Sequence, residues 1–432
     1  MEEDSSSKGI SNIKVPPKYE NLKLLSMWEE VRTLGKHPDR RSYHTAVMWQ
    51  DKMLVYGGQD LSEGPYGDLW SVEIGQFGQE SWQQVAIEDK GCISRHSAIV
   101  KNDKMYVFGG TNGVEEFNKT LVLSLNTMTW KEYPGQNNLP PPLDSHTSCL
   151  YDSDQGPLMI VFGGYSHGER TNQVYILQLD TMKWTKFETS SKQPEIRSSH
   201  SASIYNHCLF IFGGISDEGE KLNDFWKLDL KARVWTQIIG NGELPVGRSG
   251  HTSVVYKDFL IIFGGMKDIT KETNDLHSYH FQSNSWTNFQ YEYQVRDPVS
   301  PDQLEEYKKN KASLAAMKDK KFSTEPSPNR SPIRRPTFMD SSRGSPARRQ
   351  TVEGDGTPQY RRRRTLYEGP MSPLEGRIKG KLPHPRDGHS AVINGDIMVV
   401  FGGDRHQMPF NDTYVYYLLE ENIKSPARLD NS

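Results

Sequence analysis

The sequence of 432 residues predicts an all-β protein in which six similar four-stranded units close into a ring. Three observations predict this fold. A Gly-Gly doublet occurs six times, a histidine precedes every doublet, and a tryptophan follows each of the first five doublets. Repeats with a period of 20 to 50 residues are typical of solenoids, propellers and arrays, so the length of this period is the first quantity to establish.

Each Gly-Gly doublet ends a run of β-branched and aromatic residues, such as "MLVYGG" or "LIIFGG". Glycine permits a positive φ and a tight exit that a Cβ would obstruct, so each doublet is predicted to end a strand. The first glycines of successive doublets are separated by 52, 54, 50, 51 and then 138 residues. The doublets are Gly57–Gly58, Gly109–Gly110, Gly163–Gly164, Gly213–Gly214, Gly264–Gly265 and Gly402–Gly403.

Each unit is interpreted as four strands. The first holds the histidine, the second ends at the doublet, the third resembles "NDFWKLDL", and the fourth carries the tryptophan. Four-stranded units at a period near fifty predict a six-bladed β-propeller. Because the histidines and tryptophans recur at one position of every unit, they are expected to be structural and not metal ligands. They are His44, His96, His146, His200, His251 and His389, with Trp82, Trp130, Trp184, Trp235 and Trp286.

The two ends of the sequence complement each other. The sixth unit stops after its third strand, without a tryptophan, and the missing strand is found in "LSMWEEVRTLG" at residues 25–35. Trp28 precedes His44 by sixteen residues, the same offset as for Trp130, Trp184 and Trp235. Residues 25–35 are therefore predicted to complete blade 6. Such closure leaves no exposed sheet edge and joins the termini.

This arrangement resembles the kelch repeat, with six copies over roughly three quarters of the chain. The resemblance implies a rigid platform whose loops hold protein partners. Short intracellular kelch proteins made of little besides a propeller are the most similar, among them cytoskeletal and cell-end markers and Rab effectors. No helical module of the BTB or F-box kind is expected before Trp28, and residues 420–432 are too few for a cullin-adaptor box.

Four arginines lie three residues before the histidine of their unit: Arg41, Arg197, Arg248 and Arg386. Ile93 and Leu143 take this position in units two and three. The arginines are expected to anchor strands, and the Asn-Asp pairs such as Asn223–Asp224 to make hydrogen bonds at strand ends. The alternative, a ring of arginines that binds a ligand, stays open.

The chain is predicted to divide into a disordered tail (1–24), the propeller (25–290 and 381–419), a helix (291–322), a disordered insertion between blades 5 and 6 (323–380) and a second tail (420–432). The insertion is rich in Pro, Ser, Arg and Gly and has too few apolar residues to offset the entropy of ordering. Residues 296–381 contain twenty Lys or Arg and eleven Asp or Glu, a net +9 against −3 for the whole chain. The remaining residues therefore carry −12.

The insertion contains "RRPTF", "RRQTV" and "RRRTL", fourteen residues apart, which resemble substrates of cyclic-nucleotide-dependent kinases. They predict phosphorylation at Thr337, Thr351 and Thr365, and Ser345, Thr357 and Ser372 precede prolines as substrates of proline-directed kinases do. Phosphorylation would offset the positive charge of this arm. Two alternatives stay open: that Arg361–Arg364 is a nuclear import signal or polyanion tether, and that the arm is an unregulated spacer.

The loops between the second and third strands are expected to share one propeller face with the arm and to bind partners. They are long, polar and mildly acidic. Their candidate binding residues are Asp60, Glu63, Glu115, Glu116, Tyr165, Asp217, Glu218, Glu220 and Arg405. A basic arm above this acidic face is expected to fold back onto it or to recruit a partner beside it.

Composition and motifs exclude several classes of function. A net charge of −3 and a pI near 6.5 give no reason to expect nucleic-acid binding. Three isolated cysteines, a polar N-terminus and short apolar runs predict a reducing compartment, no secretory signal and no membrane span. The protein is expected in the cytoplasm, in a cytoskeletal or ciliary assembly, or in the nucleus through the arginine run.

No nucleotide-binding, nucleophile-elbow, Cys-x-x-Cys or His-Glu-x-x-His motif is present. The sequence thus predicts a scaffold or adaptor without catalytic residues, cofactor or metal. Two alternatives stay open: a substrate receptor of a ubiquitin ligase that uses a separate adaptor, and a propeller that binds a small ligand or catalyses a reaction in its central cavity.

Overall fold

The structure, a computed structural model, describes residues 28–289 except 34, 76–79 and 134–137, and residues 376–418. The described residues belong to one compact unit. The predicted helix, both predicted tails, nearly all of the predicted insertion and its six phosphorylation sites lie outside the described residues. Every regular element in the described ranges is a β-strand, and no helix in them has the length and hydropathy of a membrane span.

The first two blades follow the N-terminal strand β1 (Trp28–Arg32). Blade 1 contains β2 (Thr45–Trp49), β3 (Lys52–Tyr56), the short loop strands β4 (Gln59–Asp60) and β5 (Gly64–Pro65), β6 (Leu69–Glu73) and β7 (Trp82–Val85). Blade 2 contains β8 (Ser97–Lys101), β9 (Lys104–Phe108), β10 (Thr120–Ser124) and β11 (Thr129–Tyr133).

Blades 3 and 4 repeat the pattern. Blade 3 contains β12 (Thr147–Ser153), β13 (Gly156–Phe162), the short β14 (Tyr165–Ser166) and β15 (Glu169–Arg170), β16 (Val174–Gln178) and β17 (Lys183–Lys186). Blade 4 contains β18 (Ser201–Tyr205), β19 (Cys208–Phe212), β20 (Phe225–Asp229) and β21 (Val234–Gln237).

Blades 5 and 6 each carry one additional strand. Blade 5 contains β22 (Asn241–Gly242), β23 (Thr252–Tyr256), β24 (Phe259–Phe263), the short β25 (Met266–Asp268) and β26 (Lys271–Glu272), β27 (Leu276–His280) and β28 (Ser285–Phe289). Blade 6 contains β29 (Gly376–Lys379), β30 (Ser390–Asn394), β31 (Ile397–Phe401), the short β32 (Asp404–Arg405) and β33 (Met408–Pro409), and β34 (Thr413–Tyr417).

The N-terminal strand completes blade 6, which confirms the closure predicted from Trp28. The strand order of this sheet is β29-β1-β34-β31-β30. β1 is antiparallel to β34 with Trp28 opposite Tyr416, so the six-bladed propeller and the insertion after blade 5 are as predicted. β29 pairs with β1 and begins at Gly376, ahead of the predicted start of the second propeller segment at 381.

The second strand of each blade is buried on both faces because neighbouring blades cover it. All five residues of β24, "FLIIF", are buried, and such strands have continuous apolar runs. The fourth strand lies at the outside of each blade. In β17, with the sequence "KWTK", only the tryptophan is buried. This difference explains why the Gly-Gly runs are the most regular part of the repeat.

An aromatic group joins each blade to the next. The ring that ends the second strand of one blade contacts the histidine and the tryptophan of the following blade, at centroid distances between 4.7 and 5.6 Å. The six groups are Phe401 with His44 and Trp82, Tyr56 with His96 and Trp130, Phe108 with His146 and Trp184, Phe162 with His200 and Trp235, Phe212 with His251 and Trp286, and Phe263 with His389 and Trp28.

The repeated histidines also bridge the blades by hydrogen bonds. In five of the six interfaces Nε2 lies 2.8 to 2.9 Å from a serine or threonine hydroxyl of the neighbouring blade, for example Ser97 beside His146. The doublet glycines allow this close approach. A Cβ at Gly57, where φ is +63°, would lie 2.5 Å from the Ile93 carbonyl oxygen of blade 2. All twelve doublet glycines have positive φ.

The four repeated arginines anchor strands within their own blades. In blade 5, Arg248 is 0% exposed and donates to the Gly264 carbonyl at 3.0 Å and to both carboxylate oxygens of Asp275 at 2.6 and 3.1 Å. The other three make the same contacts with Asp68, Asp224 and Asp412. These arginines point into the blades, which argues against a ligand-binding ring.

Candidate functional site at the propeller axis

A closed ring of six backbone hydrogen bonds surrounds the propeller axis. In each blade the residue just before the repeated histidine has a positive φ, between 51° and 66°. Its N–H donates to the carbonyl of the equivalent residue in the preceding blade at 2.7 to 2.9 Å. We call this the axial ring. Its members are Tyr43, Arg95, Ser145, Ser199, Gly250 and Gly388.

Two of the ring positions are glycines because large neighbouring side chains need the space. A Cβ on Gly388 would lie 3.1 Å from the ring of Tyr43, and a Cβ on Gly250 would lie 3.0 Å from Oδ2 of Asp387. The glycines therefore admit Tyr43 and Asp387 to the axis. The four other members adopt the left-handed region as non-glycine residues, which costs about 1 kcal/mol or more each.

The axial ring contributes to the wall of a cavity of about 690 Å³, together with the short loop hairpins. A second cavity of about 470 Å³ adjoins it and shares Tyr43, Arg95, Met266 and Asp387 with it. We call these the axial cavity and the side cavity. Because both include residues of the loops after the Gly-Gly doublets, they lie on the face that the sequence predicted to bind partners.

One part of the axial cavity carries cations held by serine hydroxyls. Nε of Arg170 donates to Ser198 at 3.0 Å, and Nζ of Lys221 donates to Ser249 at 2.8 Å. Burial lowers the pKa of Lys221 from its ordinary value. The guanidinium of Arg95 lies 3.9 Å from the centroid of the Tyr43 ring, a distance at which a cation and an aromatic face attract each other.

A pair of carboxyl groups lies beside Tyr43, with Asp387 in the wall of both cavities and Asp404 in the wall of the side cavity. Asp387 and Asp404 are opposite each other in a short antiparallel bridge, with N–H to carbonyl distances of 3.0 and 2.8 Å. Asp387 is 2% exposed and accepts a hydrogen bond from the Tyr43 hydroxyl at 2.7 Å. Burial first, and then the negative charge of Asp404, raise the pKa of Asp387 to about 7. Burial likewise raises the pKa of Asp404.

Comparison with known proteins supports the family suggested by the repeat. The sequence model of the KLHDC2/KLHL20/DRC7 Kelch-repeats domain matches residues 21–155 and 95–304. These two overlapping ranges span more than half of the chain. The chain belongs to the kelch-repeat family.

Curated relatives of this kelch propeller are similar over about half of its length. The Leucine-zipper-like transcriptional regulator 1 homolog of Drosophila melanogaster is 28% identical over 59% of this chain and 27% of its own length. Acyl-CoA-binding domain-containing protein 4 of Arabidopsis thaliana is 28% identical over 56% and 37%. Kelch domain-containing protein 3 of Bos taurus is 28% identical over 54% and 63%. The chain thus matches only a part of each relative.

The kelch loops carry the predicted partner-binding residues, and three pairs of neighbouring loops contact each other. Glu116 of blade 2 accepts from the His167 backbone N–H at 3.0 Å, and Asp217 of blade 4 from Arg170 at 3.1 Å. Glu272 of blade 5 accepts from the His406 backbone N–H at 3.0 Å. Some acidic side chains of the loops therefore stabilise the contacts between the loops.

The structure brings two of the nine predicted residues, Tyr165 and Asp217, to the axial cavity. Asp60 accepts hydrogen bonds from Ser62 within its own loop, and Arg405 is half-buried in β32. The remaining exposed carboxylates lie in the loops without lining either cavity: Glu63, Glu115, Glu218 and Glu220.

Sequence reasoning missed the residues that give the axis its chemistry: Tyr43, Arg95, Lys221, Asp387 and Asp404. One signal was available. The axial ring residue directly precedes each repeated histidine, so an alignment of the six repeats on their histidines places Asp387 and its equivalents in one column. Which of these columns faces the axis could not be read from the spacing.

One further group has the composition of a metal site. Among the described residues, one set of three potential ligands lies within 4.8 Å of one another, namely His207, Cys208 and Asp229 at the start of β19 and the end of β20. His207 Nε2 lies 3.5 Å from the Asp229 carboxylate, and Asp229 accepts hydrogen bonds from the backbone N–H groups of Lys231 and Ala232. Asp229 thus stabilises the turn that follows β20, which accounts for its position in this cluster without a metal ion.

Proposed function

We propose that this kelch propeller is a non-enzymatic scaffold that binds an extended segment of a partner protein in its axial cavity. The axial cavity itself is the observation that carries this proposal. Small-molecule sites are lined mainly by apolar side chains. Here Ile215 and Met266 are the only aliphatic side chains among the described wall residues, and the remainder supplies hydroxyls, backbone groups and charges of both signs. Such a wall suits the polar backbone and mixed side chains of a peptide.

A peptide-display selection tests the proposal. Random peptides are selected on the immobilised full chain and then compared on two variants of blade 4. Ser199→Tyr fills the axial cavity with a side chain that the axial ring already accepts at Tyr43, and Thr236→Tyr adds the same side chain to an exposed position of β21. The selected peptides are expected to lose about tenfold or more in affinity for the first variant, about 1.4 kcal/mol, and to bind the second like the unmodified chain.

Two outcomes would contradict peptide binding at the axis. One is a selection that enriches no sequence above its background. The other is a set of peptides that bind both tyrosine variants with equal affinity, since these peptides would occupy another surface. Circular dichroism of each variant before the measurement shows that it has folded.

We further propose that phosphorylation of the inserted arm controls the partner set, in a cytoplasmic assembly of cytoskeletal or ciliary type. The three repeated basic motifs around Thr337, Thr351 and Thr365 support this proposal. Each phosphate adds about −1.5 to −2 charges, so three would cancel about half or more of the net +9 of residues 296–381.

The regulatory proposal predicts phosphate at these threonines and a changed partner set in a triple Thr→Ala variant. Mass spectrometry of protein from its own cells measures the occupancy. Affinity capture of wild type and triple variant, with Ser345→Ala, Thr357→Ala and Ser372→Ala as a second set, then compares the bound proteins. Empty threonines together with an identical partner set would contradict regulation and leave the arm as a tether.

A further inference from the structure

The Asp387–Asp404 pair is specific to blade 6. Every blade forms the same short antiparallel bridge at this point, between a residue before the first strand and a residue after the doublet. The equivalent pairs combine neutral residues or a single carboxylate: Ser42 with Gln59, Ser94 with Thr111, Asp144 with Tyr165, Ser198 with Ile215, and Ser249 with Met266. Since five blades form the bridge without a second carboxylate, the fold does not require the pair.

The hydrogen-bonding capacity of the Asp387–Asp404 pair is also incompletely used. Oδ2 of Asp387 accepts from Tyr43, whereas Oδ1 is buried without a hydrogen-bond partner. Two carboxylates directly opposite each other repel when both are ionised. A buried carboxylate oxygen that lacks a donor normally costs free energy, and such an oxygen in a cavity wall is a candidate binding group. Asp404 already has hydrogen bonds with Ser42 and with the backbone of Gln407. A positive group from outside would therefore supply the donor that Oδ1 of Asp387 lacks and the charge that offsets the repulsion within the pair.

The surroundings favour an organic cation over a metal ion. Among the described residues, no three oxygen ligands of Asp387, Asp404 and Glu272 converge within 4.8 Å. The side cavity beside the pair is instead rimmed by Leu61 and Ile269, which are 60% and 85% exposed. Aliphatic side chains at the rim and carboxylates inside match the alkyl stem and charged end of lysine or arginine.

We propose that Asp387 and Asp404 form a subsite that receives one cationic side chain, lysine or arginine, of the segment bound at the axis. This inference rests on the proposed function and adds a charge requirement to it. An arginine would donate to both carboxyl groups, which gives a stronger and more directional contact than a neutral donor.

Binding at this subsite releases a proton near neutral pH. The charged and titratable groups around Asp387 are Tyr43 and Arg95 from the axial ring, Asp404 from β32, Glu272 from β26 and Lys221 from the blade 4 loop. His406, in the wall of the same side cavity, lies 3.2 Å from the Glu272 carboxylate. Negative neighbours dominate, so the free pair keeps a proton that a bound cation displaces. Affinity is therefore expected to rise as the pH increases from 6 to 8.

The test uses four acetylated and amidated peptides, Gly-Gly-Xaa-Gly-Gly, with arginine, lysine, citrulline or glutamate at Xaa. Citrulline has nearly the shape of arginine without its charge. Titrations of the full chain followed by NMR are expected to show binding of the arginine and lysine peptides at least about tenfold tighter than the citrulline peptide. Calorimetry in two buffers of different ionisation enthalpy is expected to show proton release at pH 6.5.

Asp387→Asn is expected to remove both the preference for arginine and the proton release. Glu115→Gln removes a carboxylate from an exposed loop position that lines neither cavity, so it is the control and is expected to preserve both. Equal affinities for arginine and citrulline peptides, or equal effects of the two substitutions, would overturn the subsite. If the display selection yields cavity-dependent peptides without a required cation, the subsite fails and the proposed function stands; if it yields none, the proposed function fails.

Discussion

Lowering the pH from 7 to 5 is expected to unfold the propeller, because its six repeated histidines are buried in neutral form at the blade interfaces. All six are at most 6% exposed. Burial lowers the pKa of His96 to about 3, of His146 to about 4 and of His389 to about 3. The pKa values of the other three are also well below the ordinary value for the same first reason.

The direction of the effect follows from which state binds more protons. In the unfolded chain a histidine takes up a proton below about pH 6.5, whereas the folded interface does not until the pH is much lower. Stability is therefore complete above about pH 6.5 and is lost as the pH falls toward the folded values. At pH 5 each histidine costs about 2 kcal/mol, and six together match the whole stability of a typical domain, about 5–15 kcal/mol.

Asp387 opposes this trend by about one proton, because its raised pKa makes the folded state the better proton acceptor between about pH 4 and 7. Asp404 and Asp144, whose pKa values burial also raises, act in the same direction as Asp387. The lowered pKa values of His277 and His384 instead add to the effect of the six histidines.

Urea midpoints from pH 8 to pH 5 measure the balance. Near pH 5.5 the free energy of unfolding is expected to fall with decreasing pH, with a slope that corresponds to about five more protons bound by the unfolded state than by the folded state. His146→Gln should reduce this slope by about one proton, and His167→Gln, whose side chain is 73% exposed, should not change it. A slope of one proton or less would contradict the explanation.

Loss of the N-terminal strand is expected to be the most damaging local change. Trp28 is 0% exposed and its ring lies 5.1 Å from Phe263 of blade 5 and 4.9 Å from Tyr416 of blade 6. One side chain thus holds two blades together. Trp28→Ala is expected to cost about 3–5 kcal/mol, the usual range for a buried tryptophan. Removal of β1 would also expose the hydrogen-bonding edge of β34.

Thermal and urea unfolding of Trp28→Ala measure this cost. Trp49→Ala is the control, because Trp49 is half-buried in β2 and its indole N–H donates to Asp103 at the surface; a smaller loss is expected. A chain that begins after residue 35 should recover stability when a synthetic peptide of residues 25–35 is added. An unchanged melting temperature for the truncated chain would show that blade 6 does not need β1.

The sequence by itself determined the number of blades, the course of the chain through each blade and the closure by residues 25–35. These features depend on local rules that every repeat must satisfy. A strand covered on both faces needs an apolar run, its end needs glycines where the next blade approaches, and each interface needs a histidine and a tryptophan. Because six copies obey the same rules, the missing fourth strand of the sixth unit and the offset of Trp28 together predicted the partner strand of β1.

Only the tertiary structure decided which residues meet at the axis. Tyr43 and Asp387 are 344 residues apart, and they form a hydrogen bond because ring closure places blade 1 beside blade 6. Asp404 reaches the same point because the loop after its doublet folds back in a short bridge. Such contacts depend on how far individual side chains extend from the axial ring, and the repeated spacing of motifs in the sequence does not show this. The shared architecture is therefore visible in the sequence, whereas the chemistry of the cavities arises where single repeats depart from it.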